Sequence, residues 1–223
     1  MEKIKITELF DLKETIAAEL FEGLEYPWEA LELINEFILK LGARLPEDLY
    51  VKQGENIWIA RNAVVAPTAS LTGPLIIDEE AKIRHCAFIR GGAIVGKGAV
   101  VGNSTELKNS VLFNKVQVPH YNYVGDSILG YASHMGAASI TSNVKSDKTL
   151  VVIKGRNKQW ATGRRKVGAI LGDHVEIGCG SVLNPGTIIG PESSVYPLSM
   201  VRGVIPEKSI YKKAGDIITR QEG

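Results

Sequence analysis

The chain has 223 residues, a formal charge of +1 and 44% hydrophobic residues with few aromatics. So even a balance gives no global reason to expect nucleic acid or a membrane surface as a partner. The opening MEKIKITELF has no long apolar run, so no membrane span or signal peptide is expected and a reduced, cytoplasmic protein is the default. Two cysteines, Cys86 and Cys179, are too few for a disulfide framework and lack metal-ligand spacing. Each reads as a small buried hydrophobe, and no metal site is expected.

Residues 1–50 read as a helical cap closing the bottom of whatever follows. Asp11 and Glu14 have the spacing of a capping box ahead of Ile16, Leu20 and Phe21. Pro27 suits the first turn of a second helix, since its missing N–H costs nothing there. Leu31, Leu33, Ile34, Phe37, Ile38 and Leu41 give that helix an apolar stripe, and Gly42 is a natural stop.

From Ile59 onward an aliphatic residue recurs at every sixth position: Ile59, Val65, Leu71, Ile77, Ile83, Ile89, Val95, Val101 and Leu107. Four positions after each comes a small or aliphatic residue, such as Ala63, Ala81 or Ala99. A period of six is neither helical nor a simple sheet alternation. It is the hexapeptide signature of a parallel β-helix, in which each coil stacks on the last. The ladder breaks after Leu107 and resumes at Leu129, Met135 and Thr141. That spacing predicts about four extra residues bulging out between Asn114 and His120. A second break covers 144–170, and the ladder returns at Leu171, Ile177, Leu183, Ile189, Val195 and Val201. At three hexads per triangular turn this makes about six coils over 51–205. The polar tail, 206–223, is expected to run back along the outside.

The second break is strongly basic, with Lys145, Lys148, Lys154, Arg156, Lys158, Arg164, Arg165 and Lys166 against Asp147. Thr149–Lys154 reads as a short strand of a projecting hairpin. The charge run is either a solvated face or a loop leaning over a site for a polyanion such as a phosphate or coenzyme A.

The position after each ladder aliphatic is normally small or turn-forming, but Arg90 and Lys108 break that habit. They lie one coil apart, so they are expected to stack at roughly 5 Å, the spacing of neighbouring strands. Two stacked cations suit a phosphate between them, Arg as a planar fork and Lys as a point charge; they are otherwise two independent surface cations. His120, in Val118-Pro-His-Tyr-Asn-Tyr123, has the chemistry of a general base at neutral pH or is simply solvated. Tyr123, His134 and Asn143 lie in neighbouring coils and are expected to converge on the same side. Nothing marks a covalent nucleophile.

These residues also carry a resemblance. The blocks Arg90-Gly-Gly-Ala, Glu106-Leu-Lys108, His120-Tyr-Asn-Tyr-Val-Gly-Asp126 and Thr141-Ser-Asn143 resemble the acetyltransferase domain of the bifunctional glucosamine-1-phosphate acetyltransferase/N-acetylglucosamine-1-phosphate uridyltransferase enzymes. The run Thr162-Gly-Arg-Arg-Lys-Val-Gly-Ala-Ile170 is similar to the C-terminal domain of archaeal sugar-1-phosphate nucleotidyltransferases. The resemblance implies an all-β, left-handed parallel β-helix assembled as a homotrimer, with acetyl-CoA between subunits. It also implies N-acetylation of an amino sugar 1-phosphate. Arg90 and Lys108 match the phosphate ligands, with Lys166 near a further one. His120 matches the catalytic base, while Tyr123 and Asn143 match sugar contacts. Ala137 falls where a backbone N–H faces the oxyanion, and Cys179 and Pro197 fall along the coenzyme channel. His134 stands where the family has an asparagine, which puts the acceptor sugar in question. No glycine-rich nucleotide loop is present, so uridyltransferase activity is not expected. A non-catalytic trimer that binds a sugar phosphate or sugar nucleotide is the competing expectation. A zinc enzyme on the same solenoid would need three converging histidines, and His85, His120, His134 and His174 do not supply the close pair.

Overall fold

The computed structural model describes residues 2–220. It is a parallel β-helix with three faces of short strands. On the first face the inward residues run Ile59, Ile77, Val95, Leu112, Leu129, Leu171, Ile189 and Ile205 in direct register. The second face runs from Val65 through Ile83, Val101 and Val118 to Met135, Ile177, Val195 and Tyr211. The third carries Leu71, Ile89, Leu107, Val124, Thr141, Leu183 and Val201. The predicted ladder is therefore the interior of the solenoid, and from Ile77 to Val201 these residues are almost completely buried.

Two details of the expected ladder are corrected. There is no four-residue bulge before His120; instead the corner between third and first faces loses one residue in two successive coils. Seventeen residues, not eighteen, separate Val95 from Leu112 and Leu112 from Leu129. At those corners Glu106–Leu112 and Tyr123–Leu129 continue as single bent strands, with Asn109 and Asp126 at positive φ. The shortened coils hid one rung from a strict count of six. Another lies in the tail, where Ser209–Lys213 forms a last parallel rung and Asp216–Thr219 folds back antiparallel upon it. The first and second faces thus have eight parallel rungs each, among the described residues, rather than six.

The small residue four places after each aliphatic sits at the inside of a corner. Ala81, Ala87 and Ala99 are fully buried there, and in later coils Thr105, Ser139 and Ser181 replace them. Those hydroxyls bond to Val118, Gly136 and Tyr196 carbonyls at 2.9, 2.7 and 3.2 Å. A buried hydroxyl is tolerated because it is paired.

The N-terminal segment is helical only in short pieces, chiefly the 3₁₀ turn Pro27–Glu32 and the α-helix Ile34–Gly42. It does not close the bottom of the solenoid. It lies against the first face, whose outward residues Ile76, Ile94, Val111, Ile128, Ile170 and Ile188 are aliphatic and fully buried. A sheet face carrying apolar side chains on both sides needs a covering layer. Leu9 O accepts from Asp173 N at 3.0 Å, Glu14 O from Asn114 N at 2.9 Å and Leu31 O from Asn109 Nδ2 at 3.1 Å. Those contacts carry the segment across the first face to the third-to-first corner. The bottom edge of that face is met by Tyr50–Lys52, antiparallel to Ile57–Ala60.

That edge strand is pinned by a hydrogen bond from the buried Tyr50 hydroxyl to Asp78. Burial raises the Asp78 pKa, against the opposing effect of the Tyr50 bond. The native state therefore binds this proton more tightly than the unfolded chain, and the contribution of Asp78 to stability falls as pH rises through its native pKa. Asp78→Asn is expected to flatten that part of the stability profile. Thermal melts of both proteins across the acid range check this; parallel profiles would contradict it.

The basic insertion forms the predicted hairpin, Val152–Lys154 pairing antiparallel with Gln159–Ala161. Val151 and Ile153 are fully buried, against the corner at Gly186. The hairpin is thus anchored on the third-to-first corner, where the N-terminal segment also arrives.

Candidate functional site

Two corners bound the third face, and most of the predicted residues divide between them. At the second-to-third corner stand His85, Asn103, His120, Ala137, Cys179 and Pro197, each two places after an inward residue. Their backbones are linked rung by rung. Tyr121 N donates to Asn103 O at 2.9 Å, Ala138 N to His120 O at 3.0 Å, Gly180 N to Ala137 O and Leu198 N to Cys179 O at 2.8 Å each. Ala137, Cys179 and Pro197 therefore rise in a line directly above His120. Cys86 and Cys179 are both exposed, which corrects the expectation that they pack as buried hydrophobes. A corner turns its central residues outward, so a thiol there has no core to enter.

His120 is exposed, and its imidazole makes no hydrogen bond among the described residues. Its backbone is fixed from behind. His120 N donates to Asn122 Oδ1 at 3.1 Å, and the buried Asn122 amide donates to Gly136 O at 2.9 Å and Ser139 O at 3.0 Å. The Ala137 N–H, one rung up, has no acceptor among the described residues. A ring with an open nitrogen and a neighbouring open amide can serve a proton transfer and a developing negative charge together.

At the third-to-first corner Arg90 lies directly below Lys108, as Ile89 pairs with Leu107 and Arg90 N donates to Leu107 O at 2.9 Å. The stack is relieved by carboxylates: Arg90 meets Glu106 at 2.8 Å and Lys108 meets Asp126 at 3.1 Å. Asp126 is the organising group that the residue reading left out. It is buried and accepts from Lys108 Nζ, from Asn109 Nδ2 at 3.0 Å and from Asn143 Nδ2 at 2.6 Å. Asn143 also donates to the Tyr123 hydroxyl at 3.2 Å. Burial, then the nearby Asp126 charge, holds the Tyr123 phenol above its usual pKa, so it stays a neutral donor. The one sequence signal for Asp126 was its place in Tyr-Val-Gly-Asp126, where the shortened corner aims its side chain at the rungs above and below.

Tyr123 and Asn143 thus converge, and Tyr123 is three residues from His120 across the third face. His134 does not join them. It projects from the second face, its Nδ1 2.8 Å from Glu176 Oε2. Arg90 and Lys108 open onto a cleft of about 450 Å³, whose far side is Leu31, Asn35 and, from the insertion, Arg164. Lys166 is exposed outside that cleft, its backbone bridged to Val144. A larger groove of about 1390 Å³, between Lys3, Trp160, Arg202 and Tyr211, holds none of the predicted site residues. No helix among the described residues is long and apolar enough to cross a membrane.

A family model described as the GMPPB C-terminal domain matches residues 71–218. The chain belongs to this family. Among individual relatives, the bifunctional protein GlmU of Methanococcus maripaludis (strain C5) is 30% identical over 206 residues, covering 90% of this chain and 49% of its own. A bifunctional sugar-1-phosphate nucleotidylyltransferase/acetyltransferase of Sulfurisphaera tokodaii is 27% identical over 235 residues, covering 90% and 55%. A putative uncharacterized acetyltransferase, YaiX of Escherichia coli, is 30% identical over 176 residues, covering 71% and 75%. The chain spans about half the length of the first two. The match at 71–218 takes in the basic hairpin and most of the β-helix, and the N-terminal covering segment lies outside it.

Proposed function

We propose that this chain is an acetyl-CoA-dependent N-acyltransferase whose acceptor is an amino sugar 1-phosphate. The observation that carries the reading is the third face, bounded by the His120–Ala137–Cys179–Pro197 line at one edge and the Arg90–Lys108 stack at the other. In this reading Arg90 and Lys108 hold the phosphate, and Tyr123 and Asn143 contact the sugar. The amine then lies towards His120, which removes its proton as nitrogen attacks the thioester carbonyl. The Ala137 N–H steadies the tetrahedral oxygen, the carbon–sulfur bond breaks, and the thiolate leaves as free coenzyme A once protonated. Cys179 and Pro197 line the path of the coenzyme. The word acetyltransferase in the names of two relatives supports the donor. A homotrimer, with the coenzyme between neighbouring third faces, belongs to the same proposal.

Thiol release from acetyl-CoA across a panel of amino sugar 1-phosphates tests the reading. Acceptor-dependent release is the expected result. Silence throughout, with tight binding of the same sugar phosphates, would instead identify a non-catalytic sugar-phosphate binding protein.

A further inference from the structure

The cleft at Arg90 and Lys108 contains a third cation that neither the ladder nor the resemblance placed there. Arg164 comes from the basic insertion and lines the same cavity of about 450 Å³. Its Nη1 meets Glu32 Oε2 at 3.0 Å, whereas its Nε is buried with no hydrogen-bond partner among the described residues. A buried guanidinium nitrogen with no acceptor is costly unless something visits it. The two ends of the ion pair differ sharply: the Arg164 side chain is 21% exposed and that of Glu32 is 69% exposed. Glu32 is therefore the solvated partner, from the N-terminal segment, and Arg164 is the more deeply buried one.

We infer that Arg164 is a third anion ligand of this cleft, and that Glu32 is a surrogate which occupies it until a phosphate dianion arrives. Arg164 has the donor geometry for this, a fork that can meet two phosphate oxygens. Each of the three cations of the cleft is matched by a carboxylate: Glu106, Asp126 and Glu32. Asp126 is buried and accepts from Asn109 and Asn143 besides Lys108, so it stays in place when an anion binds. The Glu32 carboxylate makes no other hydrogen bond among the described residues and can swing into water. The N-terminal segment thus competes with the ligand, while the insertion recruits it. This inference rests on the phosphate-binding part of the proposed function but not on acyl transfer.

The test is calorimetric titration of the full chain with inorganic phosphate at low ionic strength. Arg164→Gln is expected to weaken binding about tenfold, the usual scale for losing a charge-assisted contact. Glu32→Gln is expected to tighten it about threefold, because a competitor is removed. Opposite signs from the two halves of one ion pair separate this arrangement from a merely structural bridge, whose loss would act in one direction only. Arg165→Gln removes an equal charge from the same insertion outside the cleft and is expected to change affinity little. Arg164→Lys, with its charge retained, is expected to recover part of the loss. If Arg164→Gln binds phosphate as the parent does while Arg90→Gln does not, the role of Arg164 is overturned and the two-cation site stands. If Glu32→Gln weakens binding, the surrogate is overturned. Absence of thiol release would leave these affinities untouched, so failure of the acyltransferase reading shows separately.

Discussion

His120→Ala is expected to lower acceptor-dependent thiol release by roughly two to four orders of magnitude, the range for loss of a general base. The fold has little reason to notice. The imidazole is solvent-facing and takes no part in the hydrogen bonds that build its corner. Those run through the His120 backbone to Asn122 and Ala138, and an alanine makes them equally well. The melting temperature of the variant should therefore match the parent, surface changes of this kind being worth about 0.5 kcal/mol or less. Affinity for the acceptor phosphate should also persist, because Arg90 and Lys108 stand at the opposite corner. Steady-state kinetics beside a thermal melt distinguishes this from a folding defect. Turnover equal to that of the parent, in a protein that melts normally, would remove His120 from the chemistry.

The interior of the solenoid was legible because one side chain per hexad has to point inward, and only aliphatics fit a narrow coil. Ile77, Ile83 and Ile89 announce their places by spacing alone. The same logic predicted the Arg90–Lys108 stack, since the pairing of Ile89 with Leu107 follows from the period. It failed where the period changed. With one residue missing between Leu107 and Leu112, strict counting in sixes loses register and offers a bulge in place of a tighter corner. That corner also produced Asp126, whose positive φ aims a carboxylate at residues a full rung away. A local spacing rule has no access to such a contact. Convergence of His134 with Asn143 was wrong for a related reason: neighbouring coils share a direction only when residues occupy the same face, and His134 occupies the second.

The covering role of the N-terminal segment was also written in the chain, in the doublets Ile76-Ile77, Ile94-Val95, Val111-Leu112, Ile128-Leu129, Ile170-Leu171 and Ile188-Ile189. Alternation along a strand sends one member of each pair inward and the other outward. Only the first face carries such doublets all the way up; the outward positions of the third run Ser70, Phe88, Glu106, Tyr123, Ile140, Val182 and Met200, with polar residues breaking the series. A layer packed on the first face leaves the other two free. The proposed chemistry sits on one of them, with the rim of the covering layer supplying Leu31, Glu32 and Asn35 to the cleft at Arg90 and Lys108.

Gly102→Ala is expected to be the most damaging single-methyl change near the site. Gly102 follows Val101 on the second face, directly beneath Pro119. A Cβ there would lie 1.6 Å from the Pro119 carbonyl oxygen and 1.9 Å from its carbon. Backbone, not a flexible side-chain tip, stands in the way, so the rung above has to move. Overpacking of this severity costs about 3 kcal/mol or more. In a chain of this size each kcal/mol lowers the melting temperature by about 2–4 °C, giving a fall of ~6–12 °C. Pro119 precedes His120, so the same displacement shifts the second-to-third corner and lowers turnover in whatever remains folded. Gly98→Ala supplies the comparison. Its φ is +65° and the nearest atom to a new Cβ is Lys115 Cγ at 3.7 Å. It should cost only about 1 kcal/mol, for placing a side chain in the left-handed region. Equal melting temperatures for the two variants would mean that the rungs at Gly102 have slack, and that the close approach of Gly102 to Pro119 does not constrain the corner at His120.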